Sequence, residues 1–126
     1  MNGYLVSVAD RVGVAAAIFE AAAARGVNVF PAYGLADGTT GLIVVGSEDE
    51  AGLRAALADA GVSATPIEMV VTELENRPGT GAALLRRLAD AGVSLRIAVP
   101  IGMSGDRVQL ALGAADPAAL KAALGS

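Results

Sequence analysis

Residues 76–93 read NRPGTGAALLRRLADAGV, and residues 10–27, DRVGVAAAIFEAAAARGV, repeat them at the same spacing. Arg11 aligns with Arg77, Gly13 with Gly79, Ala16-Ala17 with Ala82-Ala83, Ala23 with Ala89, and Gly26-Val27 with Gly92-Val93. The match extends ungapped over 4–46 and 70–112, and one residue further on DEAGLRAAL (49–57) lies over DPAALKAAL (116–124). A 126-residue chain that repeats itself at about half its length is two small structural units in tandem.

Each half carries the same succession of patterns. YLVSV (4–8) and VVTEL (70–74) alternate as half-buried strands do. Val14, Ile18, Phe19 and Ala22, with Leu84, Leu85, Leu88 and Ala91, then form an apolar stripe at helical spacing opposite a wet face. Gly26 and Gly92 read as helix stops. Strand character returns over 27–35 and 93–102, and the turns ADGTT (36–40) and MSGD (103–106) lead into 41–46 and 107–113 as hairpins. A second helix follows, opened by a capping-box spacing at Ser47–Glu50 in one half and by Asp116-Pro117 in the other.

Residues 63–70 close the first unit and run directly into the opening strand of the second. The sequence ends at Ser126 before a matching closing strand, so the second unit is expected to lack one or to borrow it. The order is βαββαβ, and the fold class is α+β: two ferredoxin-like units, residues 1–66 and 67–126. Each has an antiparallel sheet in spatial order 4-1-3-2 with helices on one face. That order makes the second strand an edge, which suits Pro31 and Pro100 because proline cannot donate to a central ladder.

Composition removes whole classes of function. There is no His or Cys, so imidazole, thiol and zinc–thiolate chemistry are absent. Neither a metal nor a cofactor is expected, no Ser or Thr has a visible base, and no catalytic residue is assigned. The nine Lys and Arg are scattered in a chain of net charge −4 with 3% aromatic residues, which argues against a nucleic-acid surface. Mean hydropathy is +0.57, yet every apolar run stops short of the ~18 residues a spanning helix needs. The N-terminus lacks the pattern of a secretory leader. No membrane association is expected, and the cytoplasm is the expected compartment.

The two halves, and ENRPGTGAALLRRLADAGVSL (75–95) most of all, resemble ACT domains, small βαββαβ modules that bind amino acids in regulated metabolic enzymes. The resemblance covers nearly the whole chain and implies a tandem ACT protein. It implies ligand contacts at the residue two before the loop proline, which falls on Asn76 and on Asp10, and at the polar residue opening the second strand, Asn28 and Ser94. Where such units lie side by side, a ligand sits between the loop of one and the strand start of its neighbour, pairing Asn76 with Asn28 and Asp10 with Ser94.

The chemistry of the loop suits a zwitterion. N–H groups near Gly79, Thr80 and Gly81 open a helix and favour a carboxylate, and Asn offers both donor and acceptor. Arg77 and Pro78 complete the candidate loop, and Gly13 is its counterpart in the first half. Two departures from the family pattern stand out: Val12 replaces the loop proline, and Ala15 and Gly81 replace a Leu, which at Gly81 would enlarge the pocket.

Plainer readings stand beside these. Asn76 fits a helix cap, Asn28 a turn after a helix-ending Gly, Ser94 a small residue at a crowded edge, and Arg77 and Arg11 solvated loop charges. Glu73 and Glu75 alternate along a strand and read as its wet face rather than as an acid–base pair. The sequence thus describes a non-catalytic regulatory protein that binds an amino acid or similar metabolite, expected as a homodimer answering to a partner enzyme or regulator. The alternative is an oligomerisation module with degenerate pockets.

Overall fold

A computed structural model of the chain describes residues 2–9 and 13–125. They form β1 (Asn2–Ala9), α1 (Val14–Ala24), β2 (Ala32–Ala36), β3 (Thr40–Gly46), α2 (Glu50–Asp59), β4 (Ala64–Glu75), α3 (Thr80–Asp90), β5 (Leu95–Ser104), β6 (Arg107–Ala114) and α4 (Pro117–Ala123). The class is α+β. The chain divides into two compact units, Asn2–Ile67 and the residues from Glu68 onward, with the 12-residue β4 contributing to both.

In the first unit the strands lie in the order β2-β3-β1-β4. This is the ferredoxin-like order, and it places β2 at an edge. The β1–β3 and β2–β3 ladders are antiparallel, with Tyr4 opposite Val45 and Tyr33 opposite Val44. Alternation then sends Tyr4 and Val6 to one face, where they join Val45, Val14, Ile18, Ala22, Leu53, Ala56 and Leu57 in a single core. The helices therefore cover one face of this sheet. On the other face Tyr33, Leu35 and Leu42 are exposed.

The second unit orders its strands β4-β6-β5, again antiparallel, with Val70 opposite Leu112 and Val99 opposite Ala111. Leu84 and Leu88 of α3 and Leu120 of α4 pack on Leu112 and Ala114, flanked by Val70, Leu74 and Leu110. Among the described residues no strand follows α4.

Helix ends follow the local signals. Val27 donates to the Ala22 carbonyl at 2.9 Å and Val93 to that of Leu88 at 2.9 Å, the six-residue closure characteristic of a glycine-terminated helix. Asp116 caps α4 by accepting from the Ala119 N–H.

Three expectations are corrected. The α2 cap is Asp49, which accepts from the Gly52 N–H at 2.9 Å, while the Ser47 hydroxyl accepts from the Asp49 N–H one turn earlier. Strand β2 begins at Ala32, not at 27; before it only Phe30 N–H and Pro31 C=O bond to Gly46, because Pro31 has no N–H to extend the ladder. Pro100 does lie within the edge strand β5, opposite Leu110, and the register shifts immediately after it. Phe19 and Leu85 leave the core: the buried stripe is Val14, Ile18 and Ala22 in α1, and Leu84 and Leu88 in α3. A residue one position beyond a buried one is turned by about 100° round the helix.

Candidate functional site

The loop between β4 and α3 is built by its own backbone. Asn76 N–H donates to the Asp106 carbonyl at 2.6 Å, tying the loop to the β5–β6 turn. Arg77 N–H donates to the Glu75 carbonyl at 3.0 Å. The Thr80 hydroxyl lies 2.7 Å from the Glu75 carbonyl and 3.1 Å from that of Arg77, so its proton closes the loop on itself. Pro78 and Gly79 form the turn, and Gly79 takes φ of 92°, a left-handed conformation in which a β-carbon is disfavoured.

Gly79, not Asn76, is the residue that opens α3, and no side chain caps the helix. Its carbonyl accepts from Ala83 N–H at 3.0 Å. Among the described residues the N–H groups of Gly81 and Ala82 have no acceptor, and the exposed Asn76 carboxamide has no hydrogen-bond partner. A β-carbon built on Gly81 would meet nothing within 4 Å. The loop thus presents a free amide side chain, open main-chain donors carrying the partial positive charge of a helix start, and vacant space above the first turn. An α-carboxylate matches those donors.

In the first unit Gly13 opens α1 with φ of 95°, and Ala17 N–H donates to its carbonyl at 2.9 Å. Asp10, with Arg11 and Val12, lies outside the described residues. Asn28 and Ser94 are exposed, each two residues beyond its helix-ending glycine, and neither side chain has a hydrogen-bond partner among the described residues. Ser94 directly precedes β5, whereas Asn28 stands four residues ahead of β2.

The residues of the Asn76–Gly81 loop are therefore brought together, and Ser94 is not among them. An 11-residue helix separates each loop from the strand start of its own unit, a distance of about 16 Å at 1.5 Å per residue. One small ligand cannot touch both ends of one helix.

Two arginines near the loop are paired with glutamates. Arg77 Nε contacts Glu75 Oε2, and Arg107 Nε lies 2.7 Å from Glu73 Oε1. The hydrogen bond from Arg77, then its charge, holds the Glu75 carboxyl below its ordinary range, and the hydrogen bond from Arg107 does the same for Glu73. A general acid needs the opposite shift. Arg77 is exposed, as a loop charge should be, but it is not free. The Thr80 clamp and the Asp106 carbonyl were not legible in the sequence; the first has a weak signal in a Thr at the first helical position, the second none.

Among the described residues no three acidic side chains gather as they would to hold a metal ion, and no helix is long and apolar enough to cross a membrane.

No family model matches the chain, and no curated protein matches it. Solved structures share its fold. A protein of Bacteroides thetaiotaomicron superposes with a TM-score of 0.81 at 15% identity, over 98% of this chain and 85% of that one. The ligand-free regulatory subunit of aspartate kinase from Thermus thermophilus gives 0.61 at 22%, over 98% and 89%. The aspartate kinase of Clostridium acetobutylicum, described as an allosteric enzyme, gives 0.64 at 12%, over 98% of this chain and 30% of that chain. At these identities the likeness establishes the fold.

Proposed function

We propose that the protein is a non-catalytic sensor: two ACT-like units in tandem, residues 1–66 and 67–126, that bind an amino acid or a similar small metabolite. The observation that carries this reading is the Asn76–Gly81 loop, where an unpartnered carboxamide stands beside open main-chain donors and the space left by Gly81. The donors take the ligand carboxylate, Asn76 its ammonium or carboxylate, and the space over Gly81 its side chain. Because loop and strand start of one unit are a helix length apart, the second half of the site comes from another unit, with Asn28 facing Asn76 and Ser94 facing Asp10. The fold is also that of a regulatory subunit of aspartate kinase, which fits a regulatory role.

Binding that ties two units together favours one arrangement over others, and a partner enzyme or regulator responds to that bias. The protein acts as a homodimer in the cytoplasm. A thermal-shift screen of the twenty amino acids tests the reading, since a ligand at about 100 times its Kd stabilises by about 2.7 kcal/mol. A response lost in Asn76→Ala supports it. A flat response throughout favours an interaction module instead, a reading that the exposed apolar side chains on both first helices, Phe19 and Leu85, make specific.

A further inference from the structure

The second helices of the two units correspond residue for residue: Leu53 of α2 to Leu120 of α4, Arg54 to Lys121, Ala56 to Ala123 and Leu57 to Leu124. They are held to different degrees. Leu53, Ala56 and Leu57 are all buried, whereas on α4 Leu120 is buried and Ala123 and Leu124 are half-buried. Side chains also tie α2 to its neighbours. Arg54 Nε donates to the Tyr4 hydroxyl at 2.9 Å, Asn2 donates to Glu50 at 3.1 Å, and Arg25 grips Asp59 through two bonds of 2.6 and 3.2 Å. The second unit carries Val70 at the position of Tyr4, Pro117 at that of Glu50 and Ala91 at that of Arg25, and their side chains have no polar group to make those contacts. Where α2 continues through Ala58 and Asp59, the repeat places Gly125 with φ of 79°, and α4 has 7 residues against 10. Lys121 reaches Glu68 instead, and an exposed ion pair contributes little.

We infer that α4 is a releasable helix, which lifts from its sheet while α3 and the strands of the second unit stay folded. Local opening is governed by the apolar burial and the bonds that an element gives up on leaving. On leaving, α4 gives up Leu120, the half-buried parts of Ala123 and Leu124, and the Lys121–Glu68 pair. Its backbone hydrogen bonds are exchanged for bonds to water, at a modest net cost each. By contrast, α2 would give up three buried side chains and its contacts to Tyr4, Asn2 and Arg25. Lifting α4 uncovers Leu112 and Ala114 on β6, and with them Leu84 and Leu88 of α3, which pack in one cluster with Leu120. The second unit thereby hides or presents an apolar surface, whereas the first keeps its own covered by an anchored α2. The opening requires no ligand, so its failure leaves the amino-acid screen untouched.

Native-state hydrogen exchange of the whole chain, followed by NMR in increasing sub-denaturing urea, tests it. The amides of Leu120 and Leu124, bonded to the Asp116 and Leu120 carbonyls, are compared with those of Leu53 and Ala60, bonded to Asp49 and Ala56. The α4 amides are expected to be less protected by about tenfold or more than those of α2 and of α3. Their exchange is expected to depend weakly on urea, because a small opening exposes little surface. Thiol labelling gives a second readout. The chain has no cysteine, so Leu53→Cys and Leu120→Cys each place a single thiol at a fully buried, equivalent position. Leu120→Cys is expected to react faster by about tenfold or more. Circular dichroism checks the fold of both variants, and the wild-type exchange decides the matter if either is unfolded. The inference is overturned if the α4 amides or the Leu120→Cys thiol fall short of that gap. It is equally overturned if α3 and β6 amides exchange as fast as those of α4 with the same urea dependence.

Discussion

Gly13 and Gly79, 66 residues apart, hold nearly the same backbone conformation, φ 95° and ψ −5° against φ 92° and ψ −17°, and each opens the first helix of its unit. Neither helix has a side-chain cap. The glycine carbonyl starts the ladder in both, and a left-handed residue turns the chain sharply into the helix. The unit-length repeat is therefore a repeat of the backbone conformation that opens each first helix, not only of apolar spacing.

Two glycines of one loop should respond in opposite directions. Gly79→Ala is strained by its φ and is expected to cost about 1–2 kcal/mol, whereas Gly81→Ala meets open space and removes a glycine from the first turn of α3, stabilising by up to about 1 kcal/mol. Urea unfolding of both variants checks this. Equal effects would mean that the loop does not hold the conformation described.

Asn76→Ala separates binding from folding. Its side chain supports nothing within the described residues, so the unfolding free energy without ligand should stay within about 0.5 kcal/mol of wild type. The ligand-induced shift should disappear. A variant that is strongly destabilised by itself would make Asn76 a structural residue.

Thr80 is the converse case. Its hydroxyl closes the loop on the Glu75 and Arg77 carbonyls, so Thr80→Val should destabilise by about 1 kcal/mol, and Thr80→Ser should restore most of the loss. If Val and Ser variants unfold at the same urea concentration, the clamp contributes nothing.

Stability against pH follows from the paired carboxylates. Hydrogen bonds from Arg77, Arg107, Lys121 and Arg25 lower Glu75, Glu73, Glu68 and Asp59 respectively, and the N–H groups of Thr40 and Thr39 lower Asp37. A carboxylate depressed in the folded state binds its proton more readily when unfolded. Its contribution is complete above the unfolded value near about 4 and is lost as pH falls through the lower folded value. With no histidine, no side chain has an unperturbed pKa between about 5 and 8. Thermal midpoints should be level from about pH 5 to 7 and fall on further acidification; a step near neutrality would contradict the assignment. Because these pairs are solvent-exposed, added salt should shrink the effect.

The amino-acid sequence by itself determined the succession of strands and helices, the repeat, the glycine helix ends, the edge position of the second strands and the loop at Asn76–Gly81. Each rests on spacing or on the conformational preference of a residue and its near neighbours. Tertiary structure decided what depends on residues far apart in the chain. It placed Phe19 and Leu85 outside the cores, because one apolar stripe of Val14, Ile18 and Ala22 or of Leu84 and Leu88 already meets the sheet. It decided against Asn76 as the helix cap, leaving its carboxamide without a partner among the described residues, while its N–H reaches the Asp106 carbonyl 30 positions on.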